Sequence, residues 1–168
     1  MLYGDLKAKK LSPQRYISGR LALSIEAEAG DSGDWRSAAA LWNEKAKTPR
    51  YGVMGQGERY DTTPYLGSQG VAEVSDRLLK MGLPKLGDEI YAASHPRAVA
   101  DMVLANALDG KSFAAVTMES FDEWLGEEKD KQIVYAMLRS ALPKLPKSAG
   151  EFVEGWLLTA MREEFDRI

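Results

Sequence analysis

The chain has 168 residues, 45% of them hydrophobic and 28% charged, with 9% aromatic side chains, which suits one folded domain and excludes a disordered, charge-dominated segment. With 22 Lys plus Arg against 25 Asp plus Glu, the net charge of -3 provides no basic field for nucleic acid or an anionic membrane. There is no cysteine and a single histidine, His95, so disulfides, thiolate chemistry and sites built on two imidazoles are excluded.

Residues 1–11 carry Lys7, Lys9 and Lys10 and no long apolar run, so they read as a flexible N-terminal arm; residues 12–168 read as a single globular helical domain. Ser12-Pro13 resembles a cap followed by proline in the first helical turn, and Ile17, Leu21 and Ile25 trace a helical stripe to Gly30. A second helix is predicted from Trp35 through Trp42 to Ala46, capped by Asp34 and ended by Thr48-Pro49.

Residues 49–70 hold five of the fifteen glycines and three of the seven tyrosines. Gly52 and Gly57 have the separation of a phosphate-binding loop, but Glu58 and Arg59 stand where lysine and a hydroxyl are required. The order Gly52, Gly55, Gly57 does not match a dinucleotide fingerprint either. Residues 51–61 are instead predicted to form a hairpin around Gly55-Gln56-Gly57. Arg50, Tyr51, Arg59, Tyr60, Asp61 and Tyr65 then supply the aromatic and arginine mixture found at interface hot spots, and they form the predicted binding surface.

Val71, Val74, Leu78 and Leu79 predict a third helix ending at Gly82 and Pro84, and "DEIYAAS" reads as a strand. Ser94 caps a helix with Pro96 in its first turn and Gly110 at its end; the 112–118 run is ambiguous between strand and loop. Ser120 with Glu123 suggests a capping box before Trp124. Residues 133–141 and the stretch from Ser148 through Phe152, Trp156 and Ala160 give the last two helices. The fold class expected is mainly α, about six helices with a small β-hairpin or two to three short strands; α+β is the alternative.

Three features offer chemistry. "EAEAGDSGDW" places Glu26, Glu28, Asp31 and Asp34 together, but their spacing suits helix caps better than a metal site, so no metal or cofactor is expected. The same stretch shares Gly-Asp-Ser-Gly with the nucleophile region of chymotrypsin-like proteases. That likeness is superficial, because those enzymes are larger, all-β and carry the histidine upstream of the serine. "SHPRAVAD" puts His95 and Arg97 at a helix N-terminus, and Asp61, His95 and Arg97 form the alternative site.

The function expected first is a non-catalytic, cytoplasmic protein-interaction module, an antitoxin, inhibitor or regulatory subunit that occludes a partner protein. A small enzyme or ligand-binding protein built on the Gly-rich loop and the His95 helix N-terminus is the alternative, and an atypical DNA-binding regulator the second. Nucleic acid and membrane are not the expected partners, and a homo-oligomer is compatible with the composition. Of the four tryptophans, one left partly exposed would mark an interface.

Overall fold

The computed structural model describes residues 1–110 and 116–167. The protein is mainly α with a small four-stranded sheet. In chain order the elements are α1 (Leu2–Ala8), β1 (Arg15–Ile17), α2 (Gly19–Leu23), a 3-10 turn (Trp35–Ser37), α3 (Ala38–Leu41), β2 (Val53–Gly55), α4 (Thr63–Leu66) and β3 (Val71–Glu73). They continue with α5 (Ser75–Lys80), β4 (Tyr91–Ala93), α6 (His95–Asp109), α7 (Met118–Trp124), α8 (Glu128–Ala141), a second 3-10 turn (Leu142–Lys144) and α9 (Lys147–Asp166).

The sheet order is β2-β1-β4-β3. β1 runs antiparallel to β2, with Tyr16 opposite Met54, and parallel to β4, with Ile17 opposite Ala92. β2 and β3 are the two outer strands, and β3 runs antiparallel to β4 with Ala72 opposite Ala92. At the centre lies α6, every residue of which from His95 to Ala107 is buried. A helix buried on all sides belongs inside a layer of other helices, and α2, α8 and α9 pack around it.

The C-terminal half follows local signals closely. Ser94 Oγ accepts from the Arg97 N–H at 3.2 Å, so α6 starts at a satisfied cap. Gly110 ends it in the left-handed conformation at φ +69. The predicted strand and the last two helices are present as β4, α8 and α9. Helix α7 starts before the predicted capping box, because Thr117 is its cap and accepts from the Ser120 N–H at 3.1 Å. Residues 112–115 of the ambiguous run lie outside the described residues.

The N-terminal half departs from the sequence reading. Residues 1–11 are not a loose arm: Leu2 and Leu6 are 0% and 1% exposed on one face of α1, and the Leu2 N–H donates to the Ala46 carbonyl at 2.9 Å. Two leucines at i and i+4 outweigh Lys7 and Lys10, which stay exposed, while Lys9 pairs with Glu58. The predicted helix over 13–30 is replaced by β1 and α2. Gly19 adopts φ +57 and a Cβ there would lie 2.9 Å from the Tyr51 carbonyl oxygen, so no continuous helix passes through it. The stretch after Asp34 shrinks to the 3-10 turn and α3, since Trp42 leaves helical geometry to donate its indole N–H to Ser24 Oγ at 2.8 Å.

Nor is 51–61 a local hairpin. β2 pairs with β1, while the chain after it closes a turn in which the Gly55 N–H donates to the Tyr60 carbonyl at 3.0 Å. Glu58, held by Lys9 at 2.6 Å and near Arg15 at 3.6 Å, faces the N-terminal segment instead of a second arm. Likewise Val71 opens a strand, and the third helix begins only at Ser75.

One polar cluster joins these elements inside the core. Arg97 and Asp101, both 0% exposed and one turn apart on α6, form an ion pair at 2.8 Å. Asp101 also accepts from Tyr16 OH at 2.8 Å, Ser18 Oγ at 2.8 Å and Thr62 Oγ1 at 2.5 Å. The Arg97 guanidinium donates to Tyr16 OH at 2.8 Å, to the Gly67 carbonyl at 3.0 Å and to the Gln69 carbonyl at 2.5 Å. Burial alone would lower the Arg97 pKa, but the charges and hydrogen bonds of Asp101 and Tyr16 together outweigh it and the net shift is upward. Tyr16 is pushed up by burial and then by the Asp101 charge, so it stays a donor. Removing one member strands buried charge and hydroxyls. Asp101→Asn and Arg97→Met are each expected to cost about 3–5 kcal/mol in urea unfolding, and Arg97→Lys to recover little, because an ammonium cannot reproduce the planar fork.

Candidate functional site

The predicted Tyr and Arg surface is mostly turned inward. Tyr51 and Tyr60 are 9% and 8% exposed and meet edge to face with ring centroids 4.9 Å apart. Two rings so placed gain more from each other and the core than from solvent. Tyr65 is half-buried against the core. Arg50 and Arg59 remain exposed, with Arg59 lying over the Tyr60 ring at 5.2 Å and 3.8 Å from Asp109. Arg50, Arg59 and Tyr60 do share one open depression of about 450 Å³ with Lys9 and Glu58. Asp61 is committed locally: its Oδ1 accepts from the Thr63 N–H at 2.9 Å and from Thr63 Oγ1 at 2.6 Å, which opens α4.

Asp61, His95 and Arg97 do not converge. Arg97 is spent on the buried network, Asp61 on its turn, and the His95 ring faces a third region. Only His95 of the three lines the cleft over the N-terminal end of α6, a space of about 320 Å³. Its walls come from the loop after α2, from β3, from the start of α5 and from the β4–α6 junction.

The geometry around His95 is specific. Nε2 lies 2.7 Å from the Ile25 carbonyl oxygen, which can only accept, so Nε2 carries the proton. Nδ1 therefore holds the lone pair and accepts from Ser32 Oγ at 2.7 Å. Burial lowers the His95 pKa below its ordinary value, with Arg77 adding to the effect and the Ile25 carbonyl and Asp130 opposing it. The ring is thus held neutral, in one tautomer and one orientation.

Gly33 makes this approach feasible. It sits at φ +99, and a Cβ there would lie 2.5 Å from His95 Cε1 and 2.6 Å from the Leu23 carbonyl oxygen. The Gly33 N–H donates to the Trp124 carbonyl at 2.7 Å and the Asp34 N–H to the Leu23 carbonyl at 2.8 Å, so the loop is tied on both sides of the serine's neighbour. Arg77, Asp130 and Glu28 place both charge signs on the cleft walls. Gly70 also lines it, at φ +74, where a Cβ would press on Arg97 Cβ at 3.0 Å and Ser94 Oγ at 3.1 Å.

Sequence reasoning missed Ser32, Arg77 and Asp130 as members of this site. For Ser32 a signal existed in the Gly-Asp-Ser-Gly stretch, but nothing in the linear order joins it to a histidine 63 positions on. Among the described residues no group of three or more His, Asp or Glu side chains is placed to hold a metal ion. No described helix is long and apolar enough to cross a membrane.

Gly33→Ala is expected to lower stability by about 1–3 kcal/mol, from the strained φ and the clash with the imidazole, measured by thermal or urea unfolding. His95 also predicts a pH dependence. Its folded pKa lies below the ordinary 6.5, so the unfolded chain takes up the proton first as pH falls. Its contribution is complete above the unfolded value and is lost as pH drops through the folded one. His95→Gln should therefore flatten the loss of unfolding free energy between about pH 7.5 and about pH 5.

No protein-family model, curated protein or solved structure matches the chain, so the functional reading rests on the site itself.

Proposed function

We propose that the protein binds a small polar ligand in the cleft over the N-terminal end of α6, as a ligand-binding protein or small enzyme. The observation that carries this reading is the fixed, neutral His95 with its hydroxyl partner Ser32 on the wall of that cleft. A volume of about 320 Å³ suits a molecule of amino-acid size, at the small end of ligand pockets. Arg77 offers a cationic contact, and Glu28 and Asp130 anionic ones, which favours a ligand bearing both charges.

A titration of the isotope-labelled protein with a panel of small zwitterions and carboxylates, followed by amide chemical shifts, tests this. Shifts should cluster at residues 25–32, 70–77 and 94–96, and Arg77→Ala should weaken binding about tenfold or more, the value of a lost charge-assisted hydrogen bond. A panel that leaves those amides unmoved removes the reading.

A second reading has its own support. Trp35 is 55% exposed, whereas Trp42, Trp124 and Trp156 are 6%, 7% and 6% exposed. The Arg36 guanidinium lies 5.7 Å from the Trp35 ring centroid. Tryptophan and arginine dominate interface hot spots. On this reading a cytoplasmic partner protein docks on Trp35 and is inhibited or regulated by it. Trp35→Ala should then abolish a partner's co-purification while Leu158→Ala, at a still more exposed apolar residue on α9, leaves it intact.

A further inference from the structure

We infer that Ser32 is a nucleophile, with His95 as its general base, and that the cleft hydrolyses small polar esters through an acyl-serine intermediate. This rests on the cleft being the functional site and goes beyond ligand binding by assigning a reaction to it.

Three observations carry the inference. The Ser32 hydroxyl donates to the Nδ1 lone pair at 2.7 Å, the contact a proton transfer from nucleophile to base requires. The other ring nitrogen is anchored on the Ile25 carbonyl at 2.7 Å, so a third group fixes the base, in the role an acidic side chain has in many triads. Finally, Ser32 is half-exposed and His95 lines the same cleft wall, so a substrate, and after it a water molecule, can reach the hydroxyl and the Nδ1 edge of the ring from the cleft. Arg77 lines the same cleft and brings a cation, whose charge also acts on Glu73 and His95, to the wall on which an oxyanion would develop.

The step balances on these groups and water. Ser32 Oγ bonds to the acyl carbon of the ester as its proton passes to His95 Nδ1. The bond from that carbon to the alkoxy oxygen then breaks, and the alcohol leaves with the Nδ1 proton. Water next attacks the acyl-serine and gives a proton to Nδ1. The carbon–Oγ bond breaks, Oγ recovers that proton, and the carboxylic acid departs. Throughout, Nε2 keeps its proton on the Ile25 carbonyl.

The purely mechanical alternative is that Ser32, His95 and Ile25 only pin the loop to α6. Incubation of the full chain with an alkyl fluorophosphonate, which exchanges its fluoride for an activated serine oxygen, separates the two. Intact mass and peptide mapping should show one adduct, on Ser32. It should form at least about a hundredfold faster than any adduct on the exposed Ser68, an internal comparison that needs no variant. Ser32→Ala should give no such adduct. His95→Gln can still donate to the carbonyl and accept from the hydroxyl, so it keeps the latch but is no base. It should retain its circular dichroism and melting transition while losing at least about a hundredfold in labelling rate. Hydrolysis of p-nitrophenyl acetate should fall in the same two variants. Labelling of Ser32 no faster than of Ser68, or unchanged in a folded His95→Gln protein, overturns the nucleophile. Cleft amide shifts with no Ser32 adduct would do so while leaving the binding reading standing.

Discussion

The buried Arg97–Asp101 pair is the constraint from which the rest of the architecture follows. Two ionised side chains with no solvent exposure are tolerable only if nearly every donor and acceptor between them is used. Asp101 takes hydroxyls from the start of the chain, through Tyr16 and Ser18, and from Thr62 beyond β2. Arg97 takes the Gly67 and Gln69 carbonyls just ahead of β3. The pair therefore fixes which segments may lie beside α6. A hydrophobic cluster alone would have accepted several arrangements, because burial carries no direction.

The cleft inherits its shape from that arrangement. His95 and Arg97 leave the same helical turn on different errands: the arginine into the network, the imidazole to the loop that follows α2. Gly70 passes between the network and the cleft, touching the space that any side chain would take from Arg97 and Ser94. On the far side Gly33 lets the backbone pass against the imidazole. A neutral histidine with one orientation thus emerges from packing that serves stability, which is how pre-organised sites are built on rigid elements. The helices beyond are held separately, with Asp122 of α7 bound by Lys131 of α8 at 2.6 Å and by Arg167 beyond α9.

How far the sequence was readable depended on the range of the forces concerned. Ser94, Pro96 and Gly110 mark the ends of α6 by capping and backbone preference, which act within a turn. α8 and α9 announce themselves by their apolar spacing. β1, β2 and β3 have three residues each, too few to show alternation, and each is stabilised by a partner far along the chain. Ile17, Leu21 and Ile25 are all buried as a helical stripe requires, yet they belong to a strand, a short helix and a loop. Tyr51 and Tyr60 were legible as aromatic neighbours of arginines; that they would face each other in the interior was not.

Taken alone, the sequence determined a mainly helical chain without thiol chemistry or a basic field, its longest C-terminal helices, and His95 at a helix start. Those conclusions depend on composition and on contacts within a few residues. Tertiary structure alone decided that the N-terminal residues are core, that the Gly-rich stretch supplies an edge strand, and that Ser32 meets His95. Each of these rests on a contact across many tens of residues, where closing the chain costs entropy that only the assembled core repays.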